Sequence, residues 1–351
     1  MKIITPKFEI IEQQYNDNNL LTDMFKHIEI CGRTCYKSED KITEDSYKRF
    51  VSMLTNSNHG AMLEHGTVYL KVINKGIYLC NYEKDHIEDK YINNPYSKVV
   101  FGKYPKYNSY EEKLKATQEV YITTNYRVLI ENGWLDDLKY ICKPTENHEK
   151  RYTVRFTYHL GVARDVNRHR VQSVGEESTR YCNYSKEKFG KELNVIEPIW
   201  FTDDEKKILH NESDHMSFKE MCGLIAKGTD FPAMKQVDYW MFANLACEYA
   251  YMMNTTQFGE KNWTAQKGSL MLPLDTKTES IHTAFVSDWC HFFNLRALGT
   301  TGSPRPSAKE VAWPLMIEFM SRGYISTSDI NSKKYTQIIE KFDDIEDYIK
   351  L

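Results

Sequence analysis

The apolar positions of the chain follow two periods. In NNLLTDMFKHIEICGRTCY, Leu21, Met24, Phe25 and Ile28 recur at the spacing of one helix face, which predicts a packed amino-terminal helix. EHGTVYLKVI has the other period: Val68, Leu70 and Val72 alternate with Thr67, Tyr69 and Lys71, as in a strand with one buried face. A second strand is predicted at RYTVRFTYHL, with Tyr152, Val154, Phe156, Tyr158 and Leu160 on one side and Thr153, Arg155, Thr157 and His159 on the other. Gly161 ends that alternation. Val162 and Val166, four apart in VARDVNRHR, then predict a short helix whose face carries Asp165, Arg168 and His169. Helical spacing returns from Phe231 in FPAMKQVDYWMFANLACEYAYMM, where Pro232 suits a first turn. It also marks TAFVSDWCHFFNLRALG, with Phe285, Trp289 and Phe292 on one stripe and a stop at Gly299. SKKYTQIIEKFDDIEDYIKL predicts a single amphipathic helix at the carboxyl end, with no evident chemistry.

Between the two strands, residues 74–150 are tyrosine-rich and charged and end in KPTENHEK, which predicts an insertion within one domain spanning 1–351. The elements are mixed, without a strict βαβ rhythm, a repeat or a low-complexity tract. Hydrophobic residues make up 41% of the 351, enough for a full core. The charges, 46 basic against 49 acidic, leave a formal net charge of -3 and no overall field for a polyanion, which argues against a nucleic-acid-binding protein. No apolar run reaches the length of a membrane span, and MKIITPKFEIIEQQ lacks a signal-peptide core, so a cytoplasmic protein is expected. The 8 cysteines lack CxxC spacing and are expected as reduced thiols, with no metal cluster. GxGxxG is absent, and GTTGSP follows a helix rather than opening one, so no Rossmann domain is expected.

Two places carry candidate chemistry. RHRVQSVGEESTRY, from Arg168, clusters guanidinium groups with a serine hydroxyl and can grip a phosphate, with Glu176 and Glu177 orienting the arginines or accepting from ligand hydroxyls. By charge pattern alone the stretch reads first as a solvated loop of mutual salt bridges. The other place is Arg296, which continues the aromatic stripe; a partly desolvated arginine there needs an anionic or carbonyl partner, supplied by a ligand or by the protein itself.

Arg168 to Ser178, an RHR followed by seven residues and a serine, with TRY after it, resembles the signature of flavin-dependent thymidylate synthases. Three further segments agree in order: GRTCYKS from Gly32, LEHGTVYLKV from Leu63, and LPL then FFNLR from Leu272 to Arg296. The resemblance implies an α+β fold with helices packed on an antiparallel sheet, assembled as a homotetramer with active sites between subunits. It implies reductive methylation of dUMP to dTMP, with methylenetetrahydrofolate as carbon donor and NADPH as reductant through FAD. Carried over by position, it places Arg168, His169 and Arg170 at FAD, with Glu176, His291 and His65 also on the cofactor side. It places Asp165, Arg168, Glu176, Glu177, Ser178, Thr179 and Arg180 around dUMP, with Ser178 and Arg180 at the phosphate and Ser178 as a binding group rather than a nucleophile. It also implies that Arg296 is the catalytic residue, favouring negative charge on the pyrimidine.

Some positions depart from that pattern. Asp165 stands where a glutamine is usual, and its charge must be paired or protonated near an anionic ligand. Ser269 replaces an arginine before LPL, with Lys267 nearby; Phe285, Ser287 and His291 replace polar residues near the flavin. These changes keep open a related reaction, methylation or hydroxymethylation of another pyrimidine nucleotide such as dCMP.

Overall fold

The computed structural model describes residues 1–75, 86–103, 106, 108, 109, 111, 112, 116–211, 216–227, 235–256 and 265–351. A four-stranded antiparallel sheet lies at its centre. Its strands are β2 (Lys7–Ile11), β6 (Arg151–His159), β7 (Ser173–Glu176) and β9 (Lys277–Phe285), ordered β2-β6-β9-β7. A second antiparallel sheet, ordered β3-β5-β4, joins β3 (Thr67–Lys75), β4 (Lys98–Phe101) and β5 (Thr117–Asn125). A short parallel pair links β1 (Lys2–Ile4) to β8 (Asn194–Ile196). The helices that bear on the site and core include α1 (Leu20–Tyr36), α2 (Ser46–Asn56), α3 (Leu160–Val166), α4 (Gln236–Thr256), α5 (Val286–Arg296), α6 (Pro306–Ser321), α7 (Ser332–Lys341) and α8 (Ile345–Lys350). The molecule is thus an α+β arrangement of helices on antiparallel sheets. Among the described residues no helix is long and apolar enough to cross a membrane.

The central sheet has two unlike faces, and the alternation in RYTVRFTYHL is their origin. Val154, Phe156 and Tyr158 project into the largest core, against Val162 and Val166 of α3, Trp289, Phe292 and Phe293 of α5, and Val311, Leu315 and Phe319 of α6. Helix α1 covers the opposite face, which is polar: His27 of α1 meets the Thr153 hydroxyl at 3.0 Å, and Thr153 meets Thr283 of β9 at 2.7 Å. Buried polar groups are tolerated when paired like this.

Two elements differ from the sequence expectation. TAF of TAFVSDWCHFFNLRALG ends strand β9, so α5 starts only at Val286; Phe285 leaves the helical stripe, and its ring lies 5.5 Å from the Arg151 guanidinium. The stripe of Trp289 and Phe292 holds, with ring centroids 5.5 Å apart, and the left-handed turn comes at Gly299 (φ +63). The carboxyl end forms two helices rather than one, because Phe342–Asp344 leave the helical conformation and Asp344 caps α8. Strand β5, from within residues 74–150, pairs with β3 along its whole length from Thr67↔Asn125 to Lys75↔Thr117. The start predicted for α4 at Phe231 and Pro232 lies outside the described residues.

Candidate active site

Helix α3 ends at Val166, so Arg168, His169 and Arg170 do not continue its face but form the turn leading into β7. The turn sorts them: Arg168 and Arg170 are exposed, whereas His169 is buried with its ring edge-on to Phe292, centroids 5.1 Å apart. Arg296, the last residue of α5, reaches across to this group. Its Nε donates to His169 Nε2 (3.0 Å) and its Nη2 to the backbone oxygen of Asp165 (2.9 Å). An Nε2 that accepts carries no proton, so the ring is neutral. Burial, then the nearby Arg296 and His291, agree with that by lowering the His169 pKa to about 4. Burial also lowers the pKa of Arg296, and the Asp165 carboxylate works against that loss of charge.

The Asp165 carboxylate is answered by Arg305, whose Nε lies 3.1 Å from Oδ2. The sequence reading missed Arg305, which stands alone in SPRPSAKE with no charge period around it. The only available signal was indirect, a buried aspartate that required a cation.

A second group lines a cleft of about 750 Å³ between α1, the segment 58–62 with its short helix, and β7. Its wall includes Tyr36, Met62, Arg127 and the continuous run Glu176–Tyr181. Gly175 is required here, since a Cβ at that position would stand 2.8 Å from Cys35 Sγ. Glu176 is half-buried; Asn167 Nδ2 (2.7 Å) and Thr278 Oγ1 (3.3 Å) donate to it, but burial outweighs them and raises its pKa. Ser178 is fixed through its backbone, with its N–H on the Cys35 carbonyl (2.9 Å) and its own carbonyl taking the N–H groups of Tyr181 and Cys182. Arg180 is exposed at the mouth, 5.9 Å from the ring centroid of Tyr181, and Thr179 is partly exposed beside it.

Glu177 differs from its neighbours. It is 3% exposed and accepts from Tyr184 Oη (3.0 Å) and Lys277 Nζ (2.7 Å). Lys277 also pairs with Glu279 (2.8 Å), which Lys37 binds from the end of α1, and Lys37 adopts a left-handed conformation (φ 47). The four charges close on each other; Lys277 and Lys37 are among the groups that hold the Glu279 carboxyl at about 2 despite its burial. Glu177 therefore faces the protein more than the cleft. Lys277 did not stand out in the sequence, because β9 has no apolar alternation to reveal it, and Lys37 follows the last turn of α1 with its acidic partners far along the chain.

The remaining two predicted residues lie apart. His65 is fully buried under the polar face of the sheet, its Nδ1 2.8 Å from Thr283 Oγ1, its Nε2 without a partner among the described residues, and its pKa far below the usual range through burial. His291 is exposed on α5, 6.2 Å from the His169 ring. One chain thus holds two groups: Arg296 with His169, Asp165 and Arg305, and the cleft of Glu176 to Arg180. Strand β7 and its entry turn connect them, and Arg296 does not line the 750 Å³ cleft. Among the described residues no three histidine, cysteine or acidic side chains gather as a metal site.

The family model described as thymidylate synthase complementing protein matches residues 144–321, which include the Arg296 group and the Glu176–Tyr181 side of the cleft. Among solved structures the chain is similar to the UMP/dUMP methylase PolB from Streptomyces cacaoi. The form bound with 5-Br dUMP has 12% identity and a TM-score of 0.35, covering 92% of this chain and 93% of that one. The form bound with 5-Br UMP has 12% identity and a TM-score of 0.36, covering 92% of each chain. No curated protein matches.

Proposed function

Because the chain belongs to the thymidylate synthase complementing protein family, we propose that it is a flavin-dependent thymidylate synthase, converting dUMP to dTMP with methylenetetrahydrofolate as carbon donor and NADPH as reductant. The observation that carries this reading is Arg296, a desolvated guanidinium held at two nitrogens by a neutral imidazole and a backbone carbonyl. Uracil C5 is a poor nucleophile, and negative charge spreading over the ring and its carbonyl oxygens needs a fixed positive partner. A preorganised guanidinium supplies that without reorganising during the reaction. Neutral partners serve better than a carboxylate would, since they orient the group and leave its charge for the substrate. In this reading His169 positions Arg296, and its contact to a cofactor is secondary.

Arg180 and the Ser178 hydroxyl bind the nucleotide phosphate, Arg180 being exposed and free of any carboxylate ion pair among the described residues. Glu176, with its carboxyl raised by burial, accepts from ligand hydroxyls and keeps Asn167 in place. Glu177 acts as a support through its ion cluster.

For the cofactor, the residues fit in part. Arg168 and Arg170 are two exposed guanidinium groups on one turn, suited to the diphosphate of FAD, and His291 is an exposed donor on the same side. His65, enclosed with an unsatisfied Nε2, is not placed to meet the ring within one chain. When bound, the flavin supplies the electrons that reduce the transferred one-carbon unit. The working unit is a homotetramer in the cytoplasm, in which neighbouring chains complete the site by bringing an Arg296 group to a Glu176–Arg180 cleft.

The test is the absorbance spectrum of the purified chain reconstituted with FAD, followed by deuteride transfer into dTMP from dUMP, the folate donor and NADPH. A protein that does not take up flavin overturns the reading, as does turnover of dCMP in place of dUMP. Arg296→Ala should keep its flavin and lose about 10²–10³-fold in kcat.

A further inference from the structure

The last turn of α5 is not held by α5 alone. Two residues flanking Arg296 are tied to the carboxyl-terminal segment 322–351, which follows the stretch matched by the family model. Asn294 Oδ1 accepts from the Asn331 N–H (2.8 Å), and the backbone oxygen of Ala297 accepts from Tyr348 Oη (2.8 Å). The Ala297 carbonyl lies at the end of the helix, where no intrahelical N–H remains to satisfy it.

Tyr348 is itself fixed on several sides. Trp313 of α6 meets its ring edge-on at 5.3 Å, and Phe342 lies 5.6 Å away. Lys309 of α6, only 2% exposed, donates from Nζ to the Tyr348 carbonyl (2.6 Å) and stands 4.5 Å over the Tyr348 ring. Among the described residues no carboxylate pairs with that ammonium. A buried lysine with only a carbonyl and a ring face is costly to keep, and burial lowers its pKa accordingly. The arrangement spends that cost on fixing one tyrosine.

We infer that the carboxyl-terminal segment is a positioning clamp for Arg296: Tyr348 and Asn331 hold the two residues that flank it, and Lys309 locks Tyr348 in place. Tyr348 is a positioning residue acting through the Ala297 carbonyl. The inference rests on the role proposed above for Arg296.

The experiment uses the full chain and two variants. Tyr348→Phe removes one hydroxyl and keeps the ring; Ile349→Ala removes apolar packing from the same helix and keeps the hydroxyl. The first readout is the Arg296 Nε–H resonance, assigned by its loss in Arg296→Lys, and it is independent of activity. Tyr348→Phe should shift or broaden it, and Ile349→Ala should not. In turnover, Tyr348→Phe should lower kcat about tenfold or more, with KM for dUMP within about twofold, because small misplacements of a catalytic group act on the chemical step. Ile349→Ala should lower the melting temperature and leave kcat in place. An unchanged Arg296 resonance in Tyr348→Phe overturns the clamp. So does a Tyr348→Phe variant that loses melting temperature but retains kcat. Inactivity of the unaltered chain would instead sink the functional reading, and the resonance would still decide the clamp.

Discussion

Asp165 shows how one residue can look unsuitable in the sequence and be accommodated in the fold. Its carboxylate would repel an anionic nucleotide, yet Arg305 pairs with it and Arg296 takes its backbone oxygen. Arg305 is largely exposed, so the pair should contribute no more than about 1 kcal/mol. Arg305→Ala should therefore reduce kcat/KM by about two- to fivefold. Adding Asp165→Asn should recover most of that loss, since the double variant no longer carries an unpaired charge. Purely additive losses across the four kinetic measurements would mean that the two residues act separately. The candidate residues could be singled out where sequence motifs cluster, from Arg168 to Arg180, but Arg305, Lys277 and Lys37 could not. Their roles come from partners far along the chain, and no local spacing encodes a long-range ion pair.

Strand β9 marks the limit of reading by hydrophobic period. Its core-facing positions include Ser280 and His282, and the opposite face carries Lys277, Glu279 and Thr283, so neither side alternates apolar with polar. Strand β6 was legible because Val154, Phe156 and Tyr158 repeat on one face. The two pair over nine positions, from Arg151↔Phe285 to His159↔Lys277, so the second strand is dictated by the first rather than by its own composition. The chemistry that hides β9 also gives it a strong stability handle. Lys277→Met would leave the buried Glu177 and the partly buried Glu279 with only Lys37 between them, and should destabilise the chain by about 3 kcal/mol, measured by urea unfolding. A change below 1 kcal/mol would show that the cluster is dispensable.

For the molecule as a whole, the buried histidines predict the response to acid. Burial pushes His27 and His169 down to about 4 and His282 to about 3. Unfolded, each would take a proton near 6.5. Between those values the unfolded chain binds more protons, so stability must fall as pH drops from about 6.5 toward 4. Glu310, raised by burial and the nearby Glu197 to about 8, acts in the opposite sense, as does Glu176, raised by burial, while His65, lowered by burial, adds to the three rings. Thermal midpoints should therefore decrease steadily below pH 6.5; a flat profile down to pH 4 would show that these rings are not enclosed as described. The antiparallel framework and helices were largely readable from period and resemblance together. The two-sided use of the central sheet was not, since apolar period sees only the face that packs α5 and α6. That asymmetry has a practical reach for engineering. Substitutions that improve packing around Phe156 and Phe319 can be screened by heat resistance alone, whereas any change beneath α1 alters the charge map and must be judged by turnover as well.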